Sequence, residues 1–200
     1  GNEESCDATP RSSDGQLLFL MEMVNKMKSP EHNGIGGRIA SVHNGSSLFT
    51  GDAGGGESNI RRYIIENDLL NAIVQLPNNL FYNTGITTYI WLLSNNKPQQ
   101  RKGKVQLIDA SLMFRKLRKN LGNKNCEFAP EHITEIMQTY LAGQDVERQL
   151  DAQNDPIGIA SKVFDNQDFG YYKVNIERPD RRSAQFSAER LQDLRFDKSL

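Results

Sequence analysis

The sequence predicts an α/β fold: the second half of an open, mixed sheet, followed by a helical and irregular extension. Two observations predict it. Read by hydrophobic period, the elements run helix, strand, helix, strand, strand, strand. The link from Leu76 to Gly85 is too short for a helical crossover, so the strands it joins should be antiparallel neighbours at one edge of an otherwise parallel sheet. A sheet that opens on a helix is also incomplete, so its first strands are expected in chain outside this sequence.

Residues 1–15 read as an irregular lead-in, with Ser12, Ser13 and Asp14 offered as N-caps. Leu17, Leu20, Met21, Val24 and Met27 then fall at helical spacing and predict a helix over 16–28. Pro30 and the glycines of "NGIGG" stop it. "RIASVH" (38–43) predicts a strand and "NGSSLFTGDAGGGES" a glycine-rich loop. "SNIRRYIIENDLL" predicts a helix with Ile60, Tyr63 and Ile64 on one side. "NAIVQLP" and "GITTYIWLLS" are strands. The second is apolar on both faces and therefore central and covered on both sides. "KVQLIDAS" (104–111) is a fourth strand.

After residue 111 the character changes, so 16–111 is read as a partial α/β domain and 112–200 as an extension. "FRKLRKNLGNKN" reads as basic loop with a short helix. Pro130 opens a helix with Ile133, Ile136, Met137, Tyr140 and Leu141 in register, and Gly143 ends it. "DVERQLDAQNDPIG" is polar linker, "DFGYYKVNIERP" alternates like a strand, and a helix is possible around 187–194.

The totals exclude several classes. No run of about 18 apolar residues exists, which argues against a membrane span, and the first residues lack the pattern of a signal peptide. Cys6 and Cys126 form neither a disulfide framework nor a zinc pattern, and they fit a reducing cytoplasm. His32, His43 and His132 share no metal spacing, and no catalytic triad is visible. Net charge is −1, yet Arg101–Lys124 holds eight basic residues against one acid, Asp109. Such a stretch either follows phosphates or is a solvated face.

Three loops carry possible chemistry. "GDAGGGES" lies between strand and helix but lacks the Gly-Lys-Ser/Thr ending of a P-loop and the third glycine of a dinucleotide fingerprint. "HNGSSLF" sits at the carboxyl end of a strand, where open sheets bind ligands, with Asn44 for hydrogen bonds and Gly45 for close approach. In "NNLFYNTG", Phe81 and Tyr82 stand among turn residues at the same sheet edge. Spacing alone leaves two readings: one aromatic stacks on a nucleobase, or Phe81 closes the core and Tyr82 caps a turn.

"SDGQLLFL", "GGRIASVHNGSSLFTGDAGGGESNIRRYIIENDLLNAIVQLPNNLFYNTGITTYIWLLSNNKPQQRKGKVQLIDAS" and "FGYYKVNIERP" resemble the modification subunit of type I restriction–modification systems, over about residues 10–180. The resemblance implies a Rossmann-like methyltransferase sheet. It also implies N6-adenine DNA methylation from S-adenosylmethionine, on a base flipped out of the duplex. It implies DNA, a specificity subunit and a restriction subunit as partners, in the cytoplasm. On the motif "LFYNTGITTYIWLL", Phe81 takes the position that stacks on the flipped base, with Tyr82 second, and Asn44 and Gly45 line the same rim. Arg115, Lys116, Arg118 and Lys119 would meet DNA phosphates or another subunit.

The sequence also departs from the family. Its cofactor-binding glycine motif and its Asn-Pro-Pro-Tyr/Phe motif are absent, and Asn-Asp-Pro at 154–156 lies in the polar linker. The family's N-terminal helical domain is absent too, and "ERPDRRSAQF" stands where a more apolar run is expected. No catalytic residue and no bound cofactor are therefore expected in this chain, which should be inactive alone. A non-catalytic docking module for a specificity subunit is the alternative. A small nucleotide-binding protein rests on the glycine loop only.

Overall fold

The computed structural model describes residues 9–11, 14–172, 174–177 and 187–188. Its elements are α1 (Gln16–Asn25), α2 (Pro30–Asn33), β1 (Arg38–Asn44), α3 (Ser46–Phe49), α4 (Gly56–Glu66), β2 (Leu70–Gln75), β3 (Thr88–Ser94) and β4 (Lys104–Asp109). There follow β5 (Arg115–Leu121), β6 (Lys124–Glu127), α5 (Pro130–Ala142), β7 (Gln149–Leu150), β8 (Pro156–Ile157) and β9 (Ala160–Asp165).

Five strands form one mixed sheet in the order β1-β3-β2-β4-β9 among the described residues. β2 and β4 run parallel, and β3 is antiparallel to both β1 and β2. β9 closes the other side, antiparallel to β4. The short link does make β2 and β3 antiparallel neighbours, but the expected edge position is corrected, because β3 lies between β1 and β2. Its sequence explains why. Tyr89, Trp91 and Leu93 join one core cluster, while Ile90 and Leu92 pack against the other. A strand apolar on both faces loses most by standing at an edge.

The first cluster lies under α1 and α4, where Leu17, Leu20, Val24, Ile60 and Ile64 meet the sheet. A register shift between Leu70 and Ala72 bulges β2, which turns both Leu70 and Ile73 toward these helices. Tyr63, expected beside Ile60 and Ile64, is exposed. Of the N-caps expected for α1, Ser12 and Ser13 lie outside the described residues. Asp14 contributes from outside the helix, accepting from the Gln16 N–H at 3.3 Å.

The second cluster covers the opposite face and draws on chain beyond residue 111, with Met113, Cys126 and Ile159 buried and Ile136 and Tyr140 packed on them. α5 forms as expected from Pro130 and stops at Gly143, whose φ of 60° suits glycine. Its apolar register divides, however. Ile136 and Tyr140 face the sheet, whereas Ile133, Met137 and Leu141 form an exposed stripe.

Two readings of the extension are corrected. The basic stretch is the β5–β6 hairpin, not loop with a short helix. Leu121 pairs with Lys124 across a two-residue turn led by Gly122 at φ 61°. β5 is largely exposed and charged, so it has no apolar period to betray it. "DFGYYKVNIERP" begins on the last two residues of a 3₁₀ turn, Asn166–Phe169, and has no strand in its described part; the strand is β9, just before that turn. The polar linker carries the small β7–β8 hairpin. The helix expected around 187–194 falls almost wholly outside the described residues. Among those described, no helix is long and apolar enough to cross a membrane.

Candidate functional site

Asn44 ends β1 opposite Thr88, the first residue of β3, so the two polar loops do leave one edge of the sheet. The Asn44 N–H donates to Gln16 Oε1 at 2.9 Å. Its side-chain oxygen accepts from Gln16 Nε2 and from the Ser46 N–H, each at 2.9 Å. The Ser46 hydroxyl donates to the Asp14 carboxylate. That bond, then the Gln16 amide, hold the Asp14 carboxyl below its ordinary range. The loop after β1 is thus tied to the start of α1. Gly45 follows in an ordinary helical conformation. Its φ is −63°, and a Cβ there would make ordinary contacts with Phe49 and Tyr89.

Phe81 and Tyr82 are 39% and 60% exposed, so neither is a core residue. Leu80, just before them, is buried in the second cluster and anchors the loop. The loop's hydrogen bonds run to the tip of the β5–β6 hairpin. Asn123 N–H donates to the Tyr82 carbonyl at 3.0 Å, and Asn125 N–H to the Asn79 carbonyl at 3.1 Å. Asn79 Nδ2 returns a bond to the Asn123 carbonyl at 2.9 Å. Lys124 Nζ donates to the Leu80 carbonyl at 3.0 Å and lies 5.7 Å from the Tyr82 ring centroid. The fold therefore joins the aromatic loop to the basic stretch. The bonds of Asn44 run the other way, to Gln16 and Ser46.

His43 is buried against Trp91, ring centroids 5.7 Å apart, and neither ring nitrogen has a hydrogen-bond partner among the described residues. Burial lowers its pKa, against a smaller pull upward from Asp14. A base depressed in the folded state gives stability that is intact above its unfolded value, near 6.5, and declines as pH falls below it. Unfolding by urea at pH 7 and pH 5 should show that decline, and His43→Phe should flatten it. An equal decline in the variant would clear His43 of the effect.

A groove of about 1740 Å³ crosses the α4 side of the sheet, lined by Phe49, Arg61, Tyr89, Leu107, Arg148 and Phe164 among others. None of Asn44, Gly45, Phe81 and Tyr82 lines it. Among the described residues no cluster of His, Cys, Asp and Glu could hold a metal.

The profile of the N-6 DNA methylase family matches residues 2–166. The chain belongs to that family. It is 37% identical to the type I restriction enzyme MjaVII methylase subunit of Methanocaldococcus jannaschii over 110 residues, 55% of this chain and 18% of that protein. Against the MjaIX methylase subunit of the same organism, identity is 32% over 131 residues, 66% of this chain and 21% of that protein. The N-6 methylase chain thus spans about a fifth of the relatives' length. The methyltransferase subunit of the Streptococcus thermophilus type I restriction–modification system shares its fold. That match has TM-score 0.63 at 23% identity, over 83% of this chain and 30% of the other. These likenesses bear out the resemblance to type I modification subunits.

An N-6 methylase implies S-adenosylmethionine, and the Gly56 end of the glycine loop is not free to hold it. Gly51 packs on Glu57, whose carboxylate holds Arg11 at 3.0 Å. A Cβ on Gly56 would overlap the Thr9 carbonyl, so the chain's own atoms fill the space against the start of α4, while Gly51 and Gly54 line the groove. Asp109, the acid that ends β4, is engaged by Arg148 at 2.6 Å and by the Ser111 N–H at 2.9 Å.

Proposed function

We propose that this chain forms one wall of the target-base pocket in a type I DNA modification subunit. In this reading an adenine flipped from the duplex stacks on Phe81, with Tyr82 beside it and Asn44 and Gly45 on the same sheet edge. The observation that supports it is the half-exposed aromatic pair on a loop anchored by buried Leu80 and by the hairpin tip. S-adenosylmethionine supplies the methyl group from residues other than those described, and the groups that hold the N6 amine are also absent from this sequence. The chain alone is therefore inactive. Its partners are DNA, a specificity subunit and a restriction subunit, in the cytoplasm.

Phe81→Ala in a complete modification subunit carrying this chain should cut methylation about 5- to 150-fold, the worth of one lost base stack. Thermal unfolding should barely move, and Phe81→Trp should restore much of the rate. Unchanged methylation with unchanged stability would remove Phe81 from the pocket. The alternative, a docking module for a specificity subunit, is favoured by the exposed stripe of Ile133, Met137 and Leu141. Capture of that subunit by a chain that leaves methylation unaffected would select it.

A further inference from the structure

We propose that the β5–β6 hairpin is a phosphate-binding strip for the DNA strand whose base meets Phe81, with Lys116, Arg118 and Lys119 as its contacts. The inference rests on the stacking reading above and extends it from the base to the backbone.

Residues 115–127 hold five basic side chains and one acid, Glu127. Two of the five are already employed. Arg115 pairs with Glu127 at 2.8 Å, and Lys124 is spent on the Leu80 carbonyl and the Tyr82 ring. Lys116, Arg118 and Lys119 remain exposed, and no ion pair engages them among the described residues. Like charges crowded on one strand repel one another, and a polyanion relieves that repulsion.

Position and composition then select the polyanion. The hairpin tip is hydrogen-bonded to the loop that carries Phe81, so base and strip are offered to one ligand as a unit. A seven-residue strand spans about 20 Å, and a DNA strand places a phosphate about every 3.4 Å along the axis. β5 can therefore reach several phosphates beside a base lying on Phe81. A protein partner fits less well, because interface cores are depleted in lysine and the exposed side chains of β5 are charged or polar apart from Leu121.

The test measures DNA affinity against salt for the intact protein carrying this chain. The probe is a short duplex with 2-aminopurine at a mismatch, whose fluorescence reports unstacking. Replacing the three residues together (K116Q, R118Q, K119Q) should make the plot of log K against log salt shallower by about 2 to 3. The 2-aminopurine signal at saturation should persist. Phe81→Ala should do the reverse, keeping the slope and changing the signal. An unchanged slope in a triple variant that melts like its parent overturns the strip and leaves the stacking reading standing. So does an unchanged slope with loss of a co-purified specificity subunit, which makes the strip a protein contact. A shallower slope with no effect of Phe81→Ala on the signal keeps the strip and removes the stacking reading.

Discussion

Trp91→Ala is expected to lower the unfolding free energy by about 3–5 kcal/mol, among the largest effects of any single change in this chain. Trp91 is 1% exposed, in the middle of β3, with Ser41 of β1 and Ile73 of β2 as its register partners. It belongs to the cluster that holds α1 and α4 on the sheet, so an alanine there opens a cavity with helices above and strands beside it. The indole N–H has no hydrogen-bond partner among the described residues. Trp91→Phe deletes that unpaired donor along with part of the ring, so it should cost well under half as much. Urea denaturation of the two variants gives the comparison. An alanine variant within about 1 kcal/mol of the parent would deny β3 its central place.

That β3 is covered on both faces was legible, and its place between β1 and β2 was not, for one physical reason. The apolar residues on both faces of Thr88–Ser94 report burial, and burial is a property of the strand itself. Which strand lies beside it is a non-local fact. The link after Leu76 makes β2 an antiparallel neighbour, but nothing in "RIASVH" states that β1 pairs on the other flank. β5 is the opposite case. "RKLRKNL" has hardly any apolar period because its side chains stay in solvent, so the pattern that finds strands is silent there.

The candidate site divides along the same line. Phe81 and Tyr82 stood out as aromatics among turn residues, and the basic stretch stood out by charge. Their union depends on Asn79 and Lys124, which reach across 44 positions of chain. Neither residue carries a local signal for that contact. The same holds for Gln16, read simply as the start of a helix, which fixes Asn44 from 28 positions away. Gly45 is the reverse, a residue whose type draws notice although its φ of −63° makes no special demand for glycine.

Asp68→Asn is expected to cost about 3–5 kcal/mol, because it strands a buried charge. The Lys97 side chain is 2% exposed, and its ammonium donates to Asp68 at 2.7 Å and to the Lys104 carbonyl at 2.9 Å. Asp68 also accepts from the Gly103 N–H at 3.0 Å and from Asn166 Nδ2 at 2.9 Å. One carboxylate thus ties the start of β2 to the β3–β4 link and to the end of β9. Asparagine is the right probe because Asp68 sits at φ 53°, a conformation that alanine would strain and asparagine tolerates. Burial pushes the Asp68 carboxyl up, but Lys97, the Gly103 N–H and Asn166 together hold it below its ordinary 3.8. A depressed acid gives stability that is complete above that value and is lost as pH falls through the folded pKa. The cost of Asp68→Asn should therefore be the same at pH 7 and pH 5 and shrink only in stronger acid. Lys97→Met removes the stranded charge, so the double variant should be more stable than Asp68→Asn alone. If urea midpoints show the two single costs simply adding, the pair is not coupled, and the three elements must be held together by packing alone.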